Sequence, residues 1–592
     1  MEKVIAISDG TQHLSNQPSY RDHPADVVKD ILPSDLAGAK VVFVNMPLRE
    51  SAVPNATPEG PLLLATNLRQ AYGVQASVID LNAYRIKDEH ADARALPNGR
   101  HLTESETCAL LEKHFHVHGE PDVVALSGMI TTLRWQTRVA ELVRKIVPST
   151  FLVSGGGLAT ELKTGLFNYI PDLDAIAHSE GDDVVVKIVY DGLQIKRAGF
   201  ESAIASGKLA PYFLGELHGR PRLMYAGDRP RDLDCLPPAD LELLREDVNG
   251  YPILDFYLGN AVWGVGANNS SATPFSMTRS TTSVSSRGCP YGCKYCYRGA
   301  QGERRWGIRS AEHLAAELAH HKEMYGIDFK GFPDDNFAVT IDRIAQLVPL
   351  IGPLGVPWGT HTRLDEAAGL KPKGTSPGEF IFEDPLRIKL MAEAGCVYIG
   401  FGPESASRKV LDALGKGGHT LQNGFVKVAV DGGRHEFPRS MIDGIRNCQE
   451  AGIHANCTWI MGSPTETLDD LKETANFIRW QEEFYTRNGI SSDAVNKRMF
   501  TLTWYPGTEI IRYPGVRDPL ARVFGITFDH ATLEPICDEK FRQYCLELDD
   551  ATKILCDPET GDPLNFSEIP TDQFLEAREH IDRDETFRIL DM

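Results

Sequence analysis

Long apolar runs are absent from this sequence, and so are the segments that would insert it into a membrane. No run reaches the length of a transmembrane helix, and residues 1–16 lack the apolar core of a signal peptide. Positive charge is also scarce, since 61 Lys and Arg face 82 Asp and Glu. The resulting net charge of -21 disfavours nucleic acid or an anionic membrane as the main partner.

A disulfide framework is missing as well. Most of the 11 cysteines are scattered along the 592 residues without regular spacing. We therefore expect a reduced, cytoplasmic location. The length is sufficient for several domains with a large apolar core.

Three cysteines do stand close together, in the segment 286–299, which reads SRGCPYGCKYCYRG. Cys289, Cys293 and Cys296 have a C-x3-C-x2-C spacing, and three thiolates on one loop can ligate three corners of a [4Fe–4S] cluster. The fourth iron then keeps an open position, as a reactive metal site requires. Zinc is the weaker alternative, because no His or Cys follows between residues 297 and 308 to complete four ligands.

This spacing, with an aromatic residue directly before the third cysteine, resembles the radical S-adenosylmethionine (SAM) superfamily. The resemblance implies that the open iron binds the amino and carboxylate groups of SAM and that an external donor supplies electrons. Tyr297 follows the last cysteine, where it is expected to shield the cluster or to stack near the adenine of SAM.

The N-terminal part alternates short β-branched runs with helical stretches, which predicts a doubly wound parallel sheet. The predicted strands are 40–45, 77–81, 122–127, 150–154 and 175–178, and the predicted helices are 60–72, 104–115, 133–146 and 157–168. Ligands of such sheets bind beyond the carboxyl ends of the strands. The residues expected to bind a cofactor there are Asn45, Ser127, Gly128, Ser154, Gly155, Gly156, Gly157, Glu180 and Gly181.

The triple glycine after the fourth strand fits a tight turn, a phosphate site or the approach of a large flat ligand. A G-x-G-x-x-G fingerprint is absent from the first turn, which disfavours a plain nucleotide site. Small residues after the third and fourth strands, with Glu-Gly-Asp after the fifth, resemble the cobalamin-binding domains that precede many radical SAM domains. This resemblance implies cobalamin as a cofactor.

Many cobalamin-binding domains carry a D-x-H-x-x-G motif whose histidine ligates cobalt, and none stands between Asn45 and Leu81. Arg69 lies on the same predicted helix face as Leu62 and Thr66. One interpretation places its guanidinium under the corrin, where it would disfavour a lower ligand and act in catalysis. The other is an arginine at a helix end that reaches solvent.

From about residue 277, strand ends carry polar motifs in an order that resembles the partial (β/α)6 barrel of cobalamin-type radical SAM enzymes. By position, the resemblance assigns SAM binding to Asp335, Arg363, Glu404 and Ser405, with structural hydrogen bonding as the alternative for each. His361 stands at the end of another strand and is a candidate base or a buried structural histidine.

These observations predict an α/β protein: a Rossmann-like cobalamin-binding domain, a partial (β/α)6 radical SAM barrel and a small C-terminal cap. The expected boundaries are a lead-in at 1–37, the cobalamin-binding domain at 38–196, a connector at 197–275, the radical SAM domain at 276–510 and the cap at 511–592.

Length, the arginine at position 69 and the G-F-G-P-E-S strand end look most similar to the tryptophan 2-C-methyltransferases of thiopeptide antibiotic biosynthesis. This resemblance implies transfer of a methyl group from SAM through cobalamin to C2 of L-tryptophan, in two heterolytic steps. A radical-generating methylase of another carbon, a non-methylating cobalamin radical SAM enzyme and a cobalamin or redox sensor are the alternatives.

Overall fold

The structure is a computed structural model that describes residues 22–50, 53–206, 209, 211–259, 277–297, 305–372, 380–382, 386–550 and 553–592. Two parallel sheets, each wrapped by helices, form its two main layers. None of the helices in these ranges is both long and apolar enough to cross a membrane.

The N-terminal sheet has seven strands in the order β2-β1-β3-β4-β5-β7-β6, parallel except for the β6–β7 hairpin. Its strands are β1 (Lys40–Asn45), β2 (Gln75–Asp80), β3 (Val123–Ser127), β4 (Phe151–Gly155), β5 (Ala175–His178), β6 (Phe213–Leu217) and β7 (Arg220–Ala226). The surrounding helices are α1 (Pro24–Val28), α2 (Pro33–Leu36), α3 (Glu59–Tyr72), α4 (Glu89–Ala93), α5 (Glu104–His118), α6 (Leu133–Ile146), α7 (Gly157–Leu162), α8 (Leu166–Tyr169), α9 (Val184–Ala198), α10 (Phe200–Ala205) and α11 (Ile253–Gly259).

Alternation along the strands explains why helices cover both faces of this sheet. On β1, Val41 and Phe43 pack with α3 and α9, whereas Val42 and Val44 pack with α5 and α6. Each strand is therefore apolar on both sides, as parallel strands between helix layers require. The carboxyl ends of β1, β3, β4 and β5 consequently meet at one edge.

The predicted domain boundary at residue 196 differs from the structure. The segment 197–275 is expected to be a connector, yet it contains β6 and β7, and β7 pairs in parallel with β5. Arg222 on β7 is fully buried and donates to the carbonyl of Pro171 at 2.8 Å. The charged residues and the proline of β7 did not indicate a strand in the sequence. In the structure the guanidinium of Arg222 is satisfied by backbone carbonyls and not by solvent.

The second sheet has six parallel strands in the order β8-β11-β12-β15-β18-β19 and curves into a partial barrel. These strands are β8 (Ser280–Thr282), β11 (Phe329–Phe332), β12 (Trp358–Thr362), β15 (Cys396–Glu404), β18 (His454–Met461) and β19 (Met499–Thr501). Short antiparallel pairs are β9 (Ser286–Arg287) with β10 (Gly307–Ile308), β13 (Leu370–Pro372) with β14 (Phe380–Phe382), and β16 (Phe425–Val430) with β17 (Gly433–Pro438).

Helices alternate with the barrel strands and cover the outside of the sheet. They are α12 (Ala311–Tyr325), α13 (Ile341–Ile351), α14 (Leu364–Ala367), α15 (Leu386–Glu393), α16 (Arg408–Ala413), α17 (Gly417–Thr420), α18 (Arg439–Glu450) and α19 (Leu468–Arg487). Ser310 caps α12 through its side chain, and Gly326 ends the helix in the left-handed conformation. The predicted α/β fold class is confirmed.

The C-terminal residues contact both domains. They form α20 (Pro514–Phe524), α21 (Glu539–Glu547) and α22 (Thr571–Asp582). Phe541 and Tyr544 of α21 join the same apolar core as Leu126 and Leu152 of the N-terminal sheet. Phe574 of α22 belongs to the barrel core. This segment therefore helps to fix the two sheets relative to each other.

Candidate active site

The cysteine loop lies at the carboxyl end of the barrel strands, held by polar contacts from three of them. The carboxylate of Asp334, after β11, accepts hydrogen bonds from the backbone N–H of Ser285 at 2.7 Å and from the Ser286 hydroxyl at 2.5 Å. Tyr291 donates to Glu366 at 2.8 Å, and Asn336 donates to the same Glu366 oxygen at 3.0 Å. These buried bonds fix the loop before any cluster is considered.

Two of the three predicted ligands, Cys289 and Cys296, have raised thiol pKa values. Burial raises the pKa of the Cys289 thiol to about 11. Burial, followed by the negative charge of Cys293, raises the pKa of the Cys296 thiol to about 12. Thiols that interact this strongly become thiolates at neutral pH only with a compensating cation such as a metal cluster.

Hydrogen-bond donors surround the sulfur atoms. Arg363 donates to the sulfur of Cys293 at 3.4 Å, and the amide of Asn336 lies 3.9 Å from the sulfur of Cys289. Among the described residues, no three Cys, His, Asp or Glu side chains are grouped as ligands of a single metal ion. The three-cysteine spacing of the loop fits a cluster in which each cysteine ligates one iron.

Arg363 is occupied differently from the prediction. Its Nε donates to Asp365 at 2.9 Å, and its guanidinium stacks on Tyr291, 4.2 Å from the ring centre. Burial lowers its pKa, but the negative charges of Asp365 and Cys293 outweigh this and hold the pKa well above the ordinary range. Because Asp365 and the Cys293 sulfur take its donors, bidentate binding of the SAM carboxylate is not supported, and Arg363 instead neutralises thiolate charge.

Glu404 is the last residue of β15 and Ser405 follows it, and the two side chains have different environments. Glu404 has a φ of 69°, a conformation that a non-glycine residue adopts only when its surroundings impose it. Its carboxylate accepts from Tyr295 at 2.7 Å and from Lys416 at 3.1 Å. Ser405 is fully buried and pairs with the Thr474 hydroxyl at 3.1 Å, so its predicted contact with SAM is replaced by a structural bond.

Asp335 and His361 complete the predicted barrel residues. Asp335 accepts a hydrogen bond from the backbone of Gly288, directly before Cys289. His361 lies against Gly400 of the neighbouring strand, and burial lowers its pKa to about 4. The imidazole is therefore neutral at physiological pH and a poor proton acceptor, which favours the structural interpretation over the catalytic one.

At the carboxyl edge of the N-terminal sheet, the triple glycine packs against the loop after β3. Gly156 has a φ of 79°, and a Cβ there would lie 2.9 Å from the carbonyl oxygen of Gly128. The backbone N–H of Leu158 donates to the same carbonyl at 3.1 Å. Gly156 is thus required by a close backbone approach, which also keeps this edge open for a bulky ligand.

Two predicted residues at this edge are structural. Asn45 is buried and donates to Asp80 at 2.8 Å. Ser154 is fully buried and donates to Gln136 at 2.7 Å. Their side chains satisfy partners inside the domain, so the polar pattern at these strand ends overstates the number of residues that face a ligand.

An apolar cavity of about 360 Å³ opens at the same edge. It lies between the sheet and the helices α3 and α9. Its lining combines apolar residues with the predicted edge positions; among them are Phe43, Leu64, Ala125, Ser127, Gly155, Gly156, Glu180, Gly181, Val185 and Ile188. Size and lining suit a flat aromatic group of a larger ligand.

Arg287 connects this cavity with the cysteine loop. It donates to Glu180 at 2.6 Å and to Asp182 at 2.6 and 3.1 Å, and a second arginine, Arg229, binds Glu180 at 2.7 Å. Glu180 and Asp182 follow β5, whereas Arg287 precedes Cys289 by two residues. The two domains are therefore joined at the point where their candidate sites face each other.

Arg69 does not reach this edge. It lies in the last turn of α3, is exposed, and donates to the carbonyl of Ala76 at 3.0 Å. Ala76 is near the start of β2, at the amino end of the sheet, opposite the ligand edge. This placement, at the end of the sheet opposite the ligand edge, agrees with the solvent-reaching alternative and not with a position under a corrin. The face shared with Leu62 ends one turn earlier, at Thr66.

A second cavity of about 460 Å³ lies where the barrel meets the C-terminal residues. Tyr295 of the cysteine loop and Glu404 form one side of it. Tyr505 and Thr501 from the last strand end form another side, and Arg578 of α22 is also part of the wall. This cavity is the candidate place for a small molecule beside the cluster.

Sequence reasoning missed the groups that bind these parts together: Glu366, Asn336 and Arg287. Asn336 directly follows the predicted residue Asp335, and Arg287 belongs to the cysteine segment itself, so both had a sequence signal. Glu366 had none, because its partners come from β12 and the cysteine loop, which meet only in the fold.

Comparison with known families supports this geometry. Residues 283–478 match the sequence profile of the radical SAM superfamily. The chain therefore contains a radical SAM domain, and the matched residues include the cysteine loop and the barrel strands β11, β12, β15 and β18.

Relatives agree at low identity. An uncharacterized methyltransferase of Pyrococcus horikoshii is 24% identical over 438 residues, which cover 73% of this chain and 76% of that protein. The anaerobic magnesium-protoporphyrin IX monomethyl ester cyclase of Cereibacter sphaeroides is 21% identical. The aligned residues cover 62% of this chain and 50% of the cyclase. The chain thus spans about half the length of this second relative.

Two solved structures share the architecture. One is TsrM from Kitasatospora setae, a radical SAM methyltransferase solved with tryptophan and a SAM analogue. Its TM-score is 0.50 at 15% sequence identity, and the superposition covers 80% of this chain and 76% of the TsrM chain. The other is OxsB, a cobalamin-dependent SAM radical enzyme with aqua-cobalamin bound. Its TM-score is 0.56 at 15% sequence identity, and the superposition covers 84% of this chain and 64% of the OxsB chain. The predicted cofactor set agrees with this superfamily and these neighbours.

Proposed function

We propose that this chain is a cobalamin-dependent radical SAM C-methyltransferase that transfers a methyl group to C2 of its substrate, L-tryptophan. The observation that carries the proposal is the junction at Arg287, which holds the carboxyl edge of the N-terminal sheet directly against the cysteine loop. A methyl group can pass between two cofactors and a substrate only if their sites face one another.

The residues present fit the three cofactors. Cys289, Cys293 and Cys296 would hold the cluster, and Glu404 would accept from the amine of SAM. The apolar cavity and the glycine edge would hold cobalamin. Bound there, these groups supply methyl transfer chemistry, and the protein supplies position and electrostatics. The domain boundaries that follow are 38–226 for cobalamin and about 277–510 for the barrel.

The choice of tryptophan as the substrate rests on the structural likeness to TsrM and on the second cavity. The aromatic and cationic residues of that cavity, Tyr295, Tyr505 and Arg578, suit an aromatic amino acid. Arg69 lends no support, since it lies at the other end of the sheet. Heterolytic transfer is consistent with a nucleophilic indole carbon. A radical-generating cobalamin enzyme that acts on another carbon is the second candidate, because OxsB, a cobalamin-dependent SAM radical enzyme, shares the fold.

Anaerobic turnover of the reconstituted protein with cobalamin, SAM, reductant and L-tryptophan tests the proposal. Methyltryptophan, S-adenosylhomocysteine and 5′-deoxyadenosine are quantified together. We expect equal amounts of the first two and almost no 5′-deoxyadenosine. Stoichiometric 5′-deoxyadenosine would refute the heterolytic route, and the absence of methyltryptophan would refute tryptophan as substrate.

A further inference from the structure

Three carboxylates stand among the described residues that line the apolar cavity at the edge of the N-terminal sheet. Glu180 accepts hydrogen bonds from Arg287 and Arg229, and Asp182 accepts two from Arg287. The third is Glu59, the first residue of α3. The first two carboxylates are therefore paired with arginine, and the bonding of Glu59 remains to be explained.

Both oxygens of Glu59 share a single protein donor. The backbone N–H of Val284 lies 2.8 Å from Oε1 and 2.7 Å from Oε2. Within the part of the chain that the structure describes, no other hydrogen bond and no ion pair reaches this carboxylate. An ionised carboxylate can accept about four hydrogen bonds, and its removal from water is costly unless donors replace the water. Glu59 thus offers unused acceptor sites to the cavity.

A carboxylate that faces the protein interior is satisfied differently. Glu317 is buried and accepts from Lys330 at 3.0 Å and from Arg309 at 2.5 Å. These donors come from the protein, because Glu317 does not line the cavity. Glu59 faces a space that a ligand would fill, so the missing donor is expected on the ligand.

The wall of the cavity favours a neutral hydrogen-bond donor beside Glu59. Most of the lining is apolar, and the guanidinium of Arg287 is already bound to Glu180 and Asp182. A phosphate or carboxylate group would meet the negative charge of Glu59, whereas a primary amide offers N–H donors. Corrinoids carry primary amides on their periphery. Their propionamides project from the face that also carries the nucleotide base, a flat aromatic group of the kind that suits this cavity.

We propose that Glu59 binds a propionamide of cobalamin and selects the amidated corrinoid against one with a carboxylate at the same position. The inference rests on the proposed function, which assigns cobalamin to this cavity. Val284 fixes the carboxylate of Glu59 and lies five residues before Cys289. The contact therefore ties a side chain of the cofactor to the segment that leads into the cysteine loop.

The test titrates the cofactor-free full chain with cobalamin and with its b-, d- and e-monocarboxylic acids, in each of which a single propionamide is a carboxylate. Equilibrium dialysis is performed at about pH 8.5, where Glu59 is ionised because burial raises its pKa only to about 7. At least one acid should bind wild type about 10-fold more weakly than cobalamin, since repulsion replaces a hydrogen bond to a charged group. Equal affinities for cobalamin and all the acids would overturn the proposal without any variant.

Glu59→Gln removes the charge and keeps the shape of the side chain, and the exposed Glu120→Gln is the control. In Glu59→Gln the preference for cobalamin over the disfavoured acid should fall to about one-third or less, and in the control it should be unchanged. Equal weakening of all the corrinoids would indicate a purely structural role through Val284 and would overturn the proposal. Wild-type protein that binds no cobalamin would refute the proposed function, whereas cobalamin binding with an unchanged preference in Glu59→Gln would refute this inference alone.

Discussion

Replacing Arg287 by methionine should weaken the junction between the two domains. Arg287 binds Glu180 and Asp182, and the side chains of Arg287 and Asp182 are 21% and 5% exposed. The substitution removes the charge but keeps most of the side-chain volume. It leaves Asp182 buried without its ion-pair partner, whereas Glu180 keeps Arg229.

Removal of one partner of a buried ion pair costs about 3–5 kcal/mol. Arg287 is partly exposed, so solvent screens part of this cost. Since only Asp182 loses its partner, we expect a destabilisation of about 2–3 kcal/mol. Asp182→Asn combined with Arg287→Met should cost less than the sum of the two single changes, because the double variant leaves no unpaired charge.

Urea unfolding followed by tryptophan fluorescence measures the free energies for this double-mutant cycle, and cobalamin affinity is measured in parallel. The control is Arg231→Met, because Arg231 is 64% exposed in its pair with Asp26 and its loss should change nothing measurable. A coupling energy below about 0.5 kcal/mol between positions 182 and 287 would show that the ion pair does not join the domains.

Further predictions follow from single positions. Cys289→Ala should abolish bound iron, seen by iron and sulfide analysis, and retained iron would contradict its role as a ligand. Arg69→Met should leave cobalamin affinity and turnover unchanged; a loss of either would restore the corrin interpretation. Gly156→Ala should weaken cobalamin binding and lower stability by about 1–3 kcal/mol, because φ is 79° and the added methyl approaches a carbonyl; equilibrium dialysis and urea unfolding measure both. Burial raises the pKa of Glu59 to about 7 from an ordinary 4.5, so the folded state holds this proton more tightly, and stability should fall as pH rises from about 4.5 to 7; Glu59→Gln should flatten the urea midpoint over that range, and an unchanged slope would contradict the assignment.

Strand and helix positions were largely determined by local sequence. Residues 40–45 and 175–178 are strands as predicted, and residues 133–146 form a helix over the predicted range. Their apolar periodicity and flanking turn residues are local properties, so the chain alone specifies them. The cysteine spacing likewise belongs to a single loop and predicts its ligands without reference to the rest of the molecule.

Side-chain partners were decided only by the tertiary structure. Whether Arg69 faces a cofactor depends on which end of the sheet the last turn of α3 reaches. Arg363 donates to Asp365, two residues along the chain, and to the sulfur of Cys293, 70 residues away. The local sequence does not specify these partners. The pairing of β7 with β5 and the ion pairs of Arg287 with Glu180 and Asp182 join segments up to 107 residues apart. Local patterns report burial and backbone conformation, whereas long-range partners depend on how the two sheets pack together, and packing is a property of the whole chain.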